Sequence, residues 1–455
     1  MADSIKTQNR FALIDTLKGI CCLLVLMHHL AFYGPMSDAA HELIPGVIDF
    51  LFEYGRMAVS VFLVIGGFLT GQIICKPNNF VKKSVIEFIW SKYIRLIIPY
   101  IAAIALAIIC SFIASQWMQH SSLSASPEPA QLTSHLLLLQ NILGYESLSA
   151  GLWYVEIDFQ LFLISLLLVF IIERLMPASW PYTSIHHISM GIVSLLTISS
   201  LFIFNLHESL DTTFLYFYSS YGLGILAAYI TREKTIYFLL LLLSIIVAAS
   251  LYIHFRERIL ISYITALVLC LSHRQNWINA SIWQNPLAYL GKISYSIFLV
   301  HFPISLLFSA LFWNLYPHDP LMNMIGMGLS AISSLLIAII FLIIAEAIFT
   351  QAKSVIGTAI ALLVYFVGFN LLEALQPSLV TRYAKESKGT ALGVYNTTQS
   401  IGLFSGALMG GYLMDSHGNL SVFIAGAVML IGWLIIAWSM GEMPSKPRET
   451  SGVAT

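Results

Sequence analysis

The chain has 455 residues, of which 58% are hydrophobic and 10% are charged, and its mean hydropathy is +0.83. A soluble domain needs more polar side chains than this to cover its surface, so the composition excludes one and indicates a polytopic membrane protein. The formal net charge of −1 says little about orientation, which depends on the loops that hold Lys and Arg. We expect an all-α fold, a bundle of transmembrane helices in the lipid bilayer, with no nucleic-acid partner.

Apolar runs long enough to cross the hydrocarbon core as helices, about 20 residues each, recur along the chain. The first run is not preceded by the pattern of a cleaved signal peptide, so we expect it to act as the insertion signal. We predict thirteen spans, of which the eighth is the shortest, near residues 11–33, 56–75, 94–116, 151–173, 187–206, 212–231, 236–254, 258–273, 293–313, 324–349, 356–377, 390–414 and 420–441.

Lys and Arg fall on alternate loops of the first ten spans, which predicts a cytoplasmic N-terminus. Residues 117–150 contain neither Lys nor Arg, and we predict that they form a loop on the outer side of the membrane. Arg256 and Arg258 are an exception, because alternation places them outside. Either the eighth span is misdrawn or these arginines serve an outer site.

The last hundred residues contradict this alternation. If ten spans return the chain to the cytoplasm at Lys353, the basic loop from Arg382 to Lys388 would lie outside. The glycine-rich stretch that follows is typical of closely packed helices. We therefore predict a module boundary near residues 350–356, with domains 1–352 and 353–455.

The stretch "LKGICCLLVLMHHL" carries a lysine and two histidines within the first span. Lys18 and His29 are eleven residues apart, which returns to within roughly 20° of the same helix face, about 16 Å along the axis. His28 points elsewhere. Ionisable residues in a span usually mark a pathway or a site. The alternative is that Lys18 reaches to the interface and His29 is a structural histidine.

Three further stretches place polar residues in apolar runs. "GRMAVSVFLVIGGFL" begins at Gly55 and contains Arg56, which could instead anchor at an interface. "LWYVEIDFQLFLI" contains Trp153, Glu156, Asp158 and Gln160, and "LGKISYSIFLVHFPI" contains Tyr295, Ser296, His301 and Pro303. The alternatives to a functional role are that Trp153 belongs to the aromatic belt at the membrane interface and that Pro303 only kinks its helix.

With "WSKYIRLIIP", these stretches resemble, in order over residues 10–350, the signature segments of the membrane-bound acyltransferase-3 family. The resemblance implies a ten-span enzyme of the bacterial plasma membrane. It further implies transfer of an acyl group, most commonly acetyl, from cytoplasmic acyl-CoA to a cell-surface carbohydrate. Acetyl-CoA would be a co-substrate, with no permanently bound cofactor. The cysteines lack metal-ligand spacing, and we predict no metal site. Oligomeric state is not predicted.

The resemblance assigns roles residue by residue, with departures. Lys18 stands where the family has arginine, and Lys92 replaces the first of two arginines before Pro99. Lysine keeps the charge but loses the bidentate fork. Lys92, Arg95 and Lys18 would bind donor phosphates, and His29 would be the base that takes the acceptor's proton, since neutral imidazole suits that role.

Other roles stay open between alternatives. Arg56 would neutralise charge on the thioester oxygen. Alignment places Asp158 at the family's glutamate, whereas helical spacing groups Glu156 with Trp153 and Gln160, so either carboxylate could enter the site. His301 is a second base or a structural histidine. The acceptor would be bound by Trp153, Gln160, Tyr295 and Ser296.

The C-terminal piece resembles a different family. "YFVGFNLLEALQPSLVTRYAKESKGTALGVYNTTQSIGLFSGALMGGYL" resembles the last three transmembrane helices of a drug-efflux-type transporter of the major facilitator superfamily, over about residues 356–441. Such transporters need two six-helix halves, so this piece cannot transport alone. The alternative functions are a transporter of this type and an acyl-donor carrier without transferase chemistry.

Overall fold

A computed structural model describes residues 11–76, 84–124, 126–177, 179–283, 286–335 and 388–439. In these ranges the regular structure is helical and no strand occurs, which confirms the all-α prediction. Seven of the described helices are long and apolar enough to cross a membrane. The chain divides into two compact units, Met1–Ala331 and Ile332–Thr455. The predicted boundary at residues 352 and 353 lies outside the described ranges.

The described helices are numbered here in chain order. Their bounds are α1 Ala12–Phe32, α2 Pro35–Ala40, α3 Pro45–Tyr54, α4 Ala58–Ile74, α5 Val85–Ala114, α6 Pro129–Leu136, α7 Leu152–Leu175, α8 Tyr182–Phe202, α9 Phe214–Ile230, α10 Ile236–Ile253, α11 Glu257–Arg274, α12 Pro286–Leu315, α13 Pro320–Leu335, α14 Lys388–His417 and α15 Asn419–Ser439. A 3₁₀ turn, Gly55–Met57, joins α3 to α4.

Each predicted span that falls on described residues coincides with a helix. The eighth coincides with α11, an 18-residue helix with charged residues at both ends, which is not among the seven described helices that are long and apolar enough to cross a membrane. The tenth is described only as far as Leu335. The predicted span 356–377 lies outside the described residues.

Helices α1 and α12 run parallel with their backbones in contact. A Cβ built on Gly19 would overlap the Leu287 carbonyl, and one built on Gly291 would overlap the Asp15 carbonyl, so only glycine permits this approach. Further along, the Cys22 thiol lies 3.6 Å from the Ser294 carbonyl. This register pairs residues 272 apart in the chain, and it continues two turns later to the C-terminal part of α1.

Glycines also bring α4 against α9 in the core. A Cβ on Gly67 would overlap the Tyr221 carbonyl, and one on Gly224 would overlap the Val64 carbonyl. The surrounding core includes Phe68 and Ile225, both fully buried. The Gly-Gly pair of the second span, Gly66 and Gly67, therefore lies on a helix-packing surface.

In the second unit, α14 and α15 form a helical hairpin. They are joined at Gly418, whose φ of 79° is readily adopted only by glycine. Ser421 donates to the Leu413 carbonyl at 3.0 Å and closes the turn.

Candidate active site

Two histidines from distant parts of the chain meet between α1 and α12. His29 Nδ1 lies 2.6 Å from His301 Nε2, and the two ring planes are nearly parallel, at 11°, with centroids 4.9 Å apart. His301 Nδ1 is 3.2 Å from the Ile297 carbonyl. Both side chains are more than nine-tenths buried. The register of the two glycine-packed helices produces this contact.

Hydrogen-bond partners define the tautomers of the pair. The Ile297 carbonyl can only accept, so His301 Nδ1 carries a proton and Nε2 of the neutral ring is an acceptor. His29 Nδ1–H then donates to His301 Nε2. The lone pair of His29 is left on Nε2, the atom that a general base requires.

His28 has a different environment, as the helical spacing predicts. Its Nδ1–H donates to the Leu51 carbonyl at 2.9 Å, which ties α1 to α3. Gly55 packs directly on it, since a Cβ there would lie 2.6 Å from the His28 Cβ. Arg56 follows in the 3₁₀ turn before α4, where it is exposed near His28. No described contact brings Arg56 to His29.

A second polar pair connects α5 and α7. Lys92 Nζ lies 2.8 Å from Asp158 Oδ2 and 4.4 Å from the centre of the Phe162 ring. The Lys92 and Asp158 side chains are only 13% and 14% exposed. A Cβ on Gly66 would lie 2.8 Å from Asp158 Oδ1, so α4 has glycine where the carboxylate approaches. The pair is therefore an ion pair enclosed by three helices.

Glu156 makes different contacts from Asp158. Its carboxylate accepts from the Asn141 amide at 3.1 Å and from Gln160 Nε2 at 2.9 Å. Gln160 Nε2 also donates to the Leu138 carbonyl at 3.2 Å. Glu156 and Gln160 thus hold the backbone of the loop 117–150, called the outer loop here after the side that the sequence predicts for it. Asp158 instead pairs with Lys92.

The outer loop is further fixed by His135, which lies in α6 outside the membrane-spanning segments. Its Nδ1–H donates to the Gln131 carbonyl at 2.9 Å, and its Nε2 accepts from the Leu148 amide at 3.2 Å. Burial lowers the pKa of His135 below its usual value, and the Gln131 carbonyl partly offsets this effect. The neutral ring is the form that can make both bonds.

The remaining candidate residues are spread over several helices. Tyr295 donates to the Leu96 carbonyl at 2.9 Å and links α12 to α5, one turn from Lys92. Trp153 packs on Phe217, with ring centroids 5.6 Å apart. Ser296 on α12 and Lys18 on α1 are both partly buried. Arg95 on α5 is exposed.

Several residues at this site were not singled out from the sequence. Tyr154 contacts Phe62 and Phe298, with centroids 6.0 and 5.5 Å away, so it links α7 to α4 and α12. Gly66 and Asn141 also belong here, through Asp158 and Glu156. The sequence did contain a sign that Gly66 lies at a close contact, namely the Gly-Gly pair in the second span. Asn141 contributes only its backbone amide, which has no sequence signature.

The chemistry available consists of bases, an ion pair and aromatic rings. Among the described residues, no group of three or more His, Cys, Asp or Glu side chains could hold a metal ion. All five cysteines are buried and unpaired by disulfides. The candidate base is an imidazole held by a second imidazole.

Comparison with known proteins gives a partial match to transporters. Over 81 residues, 18% of the chain, the sequence is 43% identical to the inner membrane transport protein YajR of Escherichia coli (strain K12), covering 18% of that protein. It is 31% identical over 81 residues to an uncharacterized transporter of Buchnera aphidicola subsp. Baizongia pistaciae (strain Bp), covering 21% of it. The chain thus spans about a fifth of the length of these relatives. No solved structure matches it.

The family comparison covers most of the chain. The family described as "Acyltransferase domain" matches residues 11–344. This range contains the histidine pair, the Lys92–Asp158 ion pair and the outer loop. The match confirms the resemblance carried by the ordered motifs. The chain belongs to the acyltransferase-3 family of integral membrane acyltransferases.

Proposed function

We propose that the protein transfers an acyl group, acetyl in the simplest case, from cytoplasmic acyl-CoA to a hydroxyl of an extracytoplasmic cell-surface glycan. The observation that carries the proposal is the His29–His301 pair, which leaves an acceptor nitrogen on His29 inside a membrane acyltransferase. Acyl transfer to a hydroxyl requires such a base.

His29 acts as the general base in this proposal. Its Nε2 takes the acceptor's hydroxyl proton while the hydroxyl oxygen attacks the thioester carbonyl. The carbon–oxygen bond forms, the carbon–sulfur bond breaks, and the thiolate of CoA receives the proton from His29. No cysteine is required as nucleophile, and the five cysteines are all buried. His301 is a positioning residue, since its Nε2 accepts from His29 Nδ1–H.

The donor phosphates need cations at the cytoplasmic side of the bundle. We assign this role to Arg95 and Lys18, and in part to Lys92, whose ammonium already contacts Asp158. Asp158 in turn fixes the Lys92 ammonium one turn from Leu96, which Tyr295 contacts. Glu156 and Gln160 hold the outer loop beside the Lys92–Asp158 pair. Arg56 would meet the thioester oxygen only if donor binding brings it inward.

The topology of the proposal follows from the basic loops. A cytoplasmic N-terminus places Lys92 and Arg95 toward acyl-CoA, and it places the outer end of α1, with His29, toward the acceptor. The proposed location is the bacterial inner membrane. Residues 353–455 form a separate, non-catalytic segment in this account. A chain truncated after residue 352 that inserts stably but cannot acylate would contradict that assignment.

The second candidate function is a transporter or acyl-donor carrier, which the partial similarity to transporters favours. Purified protein in proteoliposomes separates the two. An acyltransferase consumes acetyl-CoA and releases free CoA only when glycan acceptor is present on the opposite side. A carrier moves label across the membrane without releasing CoA stoichiometrically. Mass spectrometry of surface glycans from cells with and without the gene identifies the acceptor.

A further inference from the structure

Two arginines at the start of α11 have different environments. Arg256 is buried, and its guanidinium donates to Asn205 Oδ1 at 2.8 Å, the Leu201 carbonyl at 2.9 Å and Ser250 Oγ at 2.6 Å. Its hydrogen-bonding capacity is largely used within the protein. It holds the outer ends of α8, α10 and α11 together.

Arg258 lies one half-turn further on and is only partly buried. Its guanidinium lies over the ring of Tyr216, 4.9 Å from the centroid. Within the described part of the chain, no carboxylate forms an ion pair with it. Glu208 and Asp211 lie near Tyr216 but are exposed, where solvent and salt screen their charge. Arg258 also makes a side-chain hydrogen bond to Tyr216, and the remaining donors of its planar fork suit a planar anion.

Aromatic rings form a row from this arginine to the histidine pair. Successive centroids lie 5.0 Å apart between Tyr216 and Phe217, 5.6 Å between Phe217 and Trp153, and 6.4 Å between Trp153 and Tyr154. The row continues to Phe298 at 5.5 Å, and Phe298 lies 6.0 Å from His301.

The row lies at one level of the bundle. Trp153 and Tyr154 occupy the first turn of α7, Tyr216 and Phe217 the first turn of α9, and Arg258 the first turn of α11. Trp153, Tyr154 and Phe217 are each partly buried, unlike Trp90, which is 60% exposed. These three rings therefore keep some accessible area, whereas Tyr216 and Phe298, at the two ends of the row, are only 3% and 7% exposed. Aromatic faces bind the C–H faces of sugar rings because the face of the π system is electron-rich.

We propose that this aromatic row binds the acceptor glycan, and that Arg258 recognises a negatively charged group on it, a carboxylate or a phosphate, several rings away from the hydroxyl that is acylated. The inference rests on the proposed function and names its substrate class: an anionic oligosaccharide. The charged group is bound by Arg258, and the sugar rings run along the row toward His29.

The test uses purified protein in nanodiscs with acetyl-CoA and three matched oligosaccharides. One carries uronic carboxylates, the second is its carboxyl-reduced neutral counterpart, and the third carries a sugar phosphate instead. The KM of the wild type for one of the anionic forms should be about tenfold or more below that for the neutral form, as a charge-assisted hydrogen bond implies. Arg258→Gln should bring the ratio of the two KM values close to one.

Two further variants sharpen the result. Arg258→Lys should give an intermediate ratio, because lysine keeps the charge but lacks the bidentate fork. Lys234→Gln removes an exposed positive charge outside the row, and its ratio should equal that of the wild type. The carboxylate and phosphate arms identify which anion is preferred.

Equal KM values for anionic and neutral acceptors in the wild type, or a ratio that Arg258→Gln leaves unchanged, would overturn the inference. If no oligosaccharide is acylated, the proposed function is at fault, and calorimetric binding of the same oligosaccharides still tests Arg258. Binding of an anionic form that is about tenfold weaker in Arg258→Gln would then support the row as a glycan site. If the anionic form does not bind, or binds equally well to the wild type and to Arg258→Gln, the row is not a glycan site.

Discussion

His29 Nδ1 and His301 Nε2 lie 2.6 Å apart, although 272 residues separate them in the chain. The contact is a hydrogen bond whose direction follows from the Ile297 carbonyl, which accepts from the other nitrogen of His301. His29 is therefore held in one orientation with its free lone pair on Nε2. A proton-transferring group that is already oriented loses less entropy in the transition state.

We predict that His301 acts through its acceptor nitrogen. His301→Gln keeps a side-chain oxygen that can accept from His29 Nδ1–H, whereas His301→Phe removes the acceptor and frees His29 to adopt the other tautomer. The phenylalanine variant should lose about 10²-fold or more in kcat, within the range of general-base effects, and the glutamine variant should lose less. Steady-state kinetics of CoA release with glycan acceptor check this. Equal losses in both variants would favour a purely steric role.

The Lys92–Asp158 pair should behave as an enclosed ion pair. Lys92→Gln or Asp158→Asn alone leaves one charge without its partner, which costs about 3–5 kcal/mol when the pair is buried. The double variant Lys92→Gln/Asp158→Asn should be more stable than either single variant. Thermal unfolding in detergent measures all four proteins of the cycle. Additive losses in Tm would show that the two groups do not interact.

Parts of the site were predictable from local spacing alone. Helical spacing predicts that His29 shares a face with Lys18, eleven residues away, and that the adjacent His28 points elsewhere. The two histidines do contact different helices. The carboxylates of α7 could not be separated in this way, because their environments depend on other helices. Asp158 meets Lys92 across the bundle, and Glu156 meets a loop amide that any residue could supply.

Helix existence was predictable because apolar runs of bilayer length have few alternatives in lipid. Helix partners were not, since the register of α1 and α12 depends on glycines far apart in the chain. To recognise Gly19 and Gly291 as contact residues, one would have to know that their helices are neighbours. Likewise, Arg256 and Arg258 look alike in sequence, and only the acceptors supplied by Asn205 and Ser250 distinguish them.

The glycine contact between α1 and α12 gives a matched test. Gly291→Ala places a methyl group against the Asp15 carbonyl, which is backbone and cannot rotate away, so we expect destabilisation of about 1–3 kcal/mol. Gly191→Ala is the control, because nothing lies within 4 Å of a Cβ there. As a helix position in open space, it should be neutral or slightly stabilising. Tm values in the same detergent compare the two, and equal shifts would refute the close approach.

The outer loop should loosen in mild acid. Because the folded-state pKa of His135 lies below the unfolded value, the unfolded loop binds more protons, and the stabilisation is present above about pH 6.5 and lost as pH falls below it. Hydrogen exchange of residues 126–150, corrected for intrinsic rates, should show reduced protection at pH 5 relative to pH 7. His135→Gln does not titrate and should show a smaller change. A pH effect of the same size in this variant would assign the loosening to another group.

The central claim is that His29 is the base for acyl transfer. The most direct measurement is the transfer of radiolabelled acetyl groups from acetyl-CoA to surface glycan by proteoliposomes containing wild type, His29→Ala or His28→Ala, with equal insertion verified for each. We predict that His29→Ala loses about 10²–10⁴-fold in rate, whereas His28→Ala, whose bond to Leu51 is structural, keeps most of its activity. Comparable rates for His29→Ala and wild type, or equal losses in the two variants, would contradict the account.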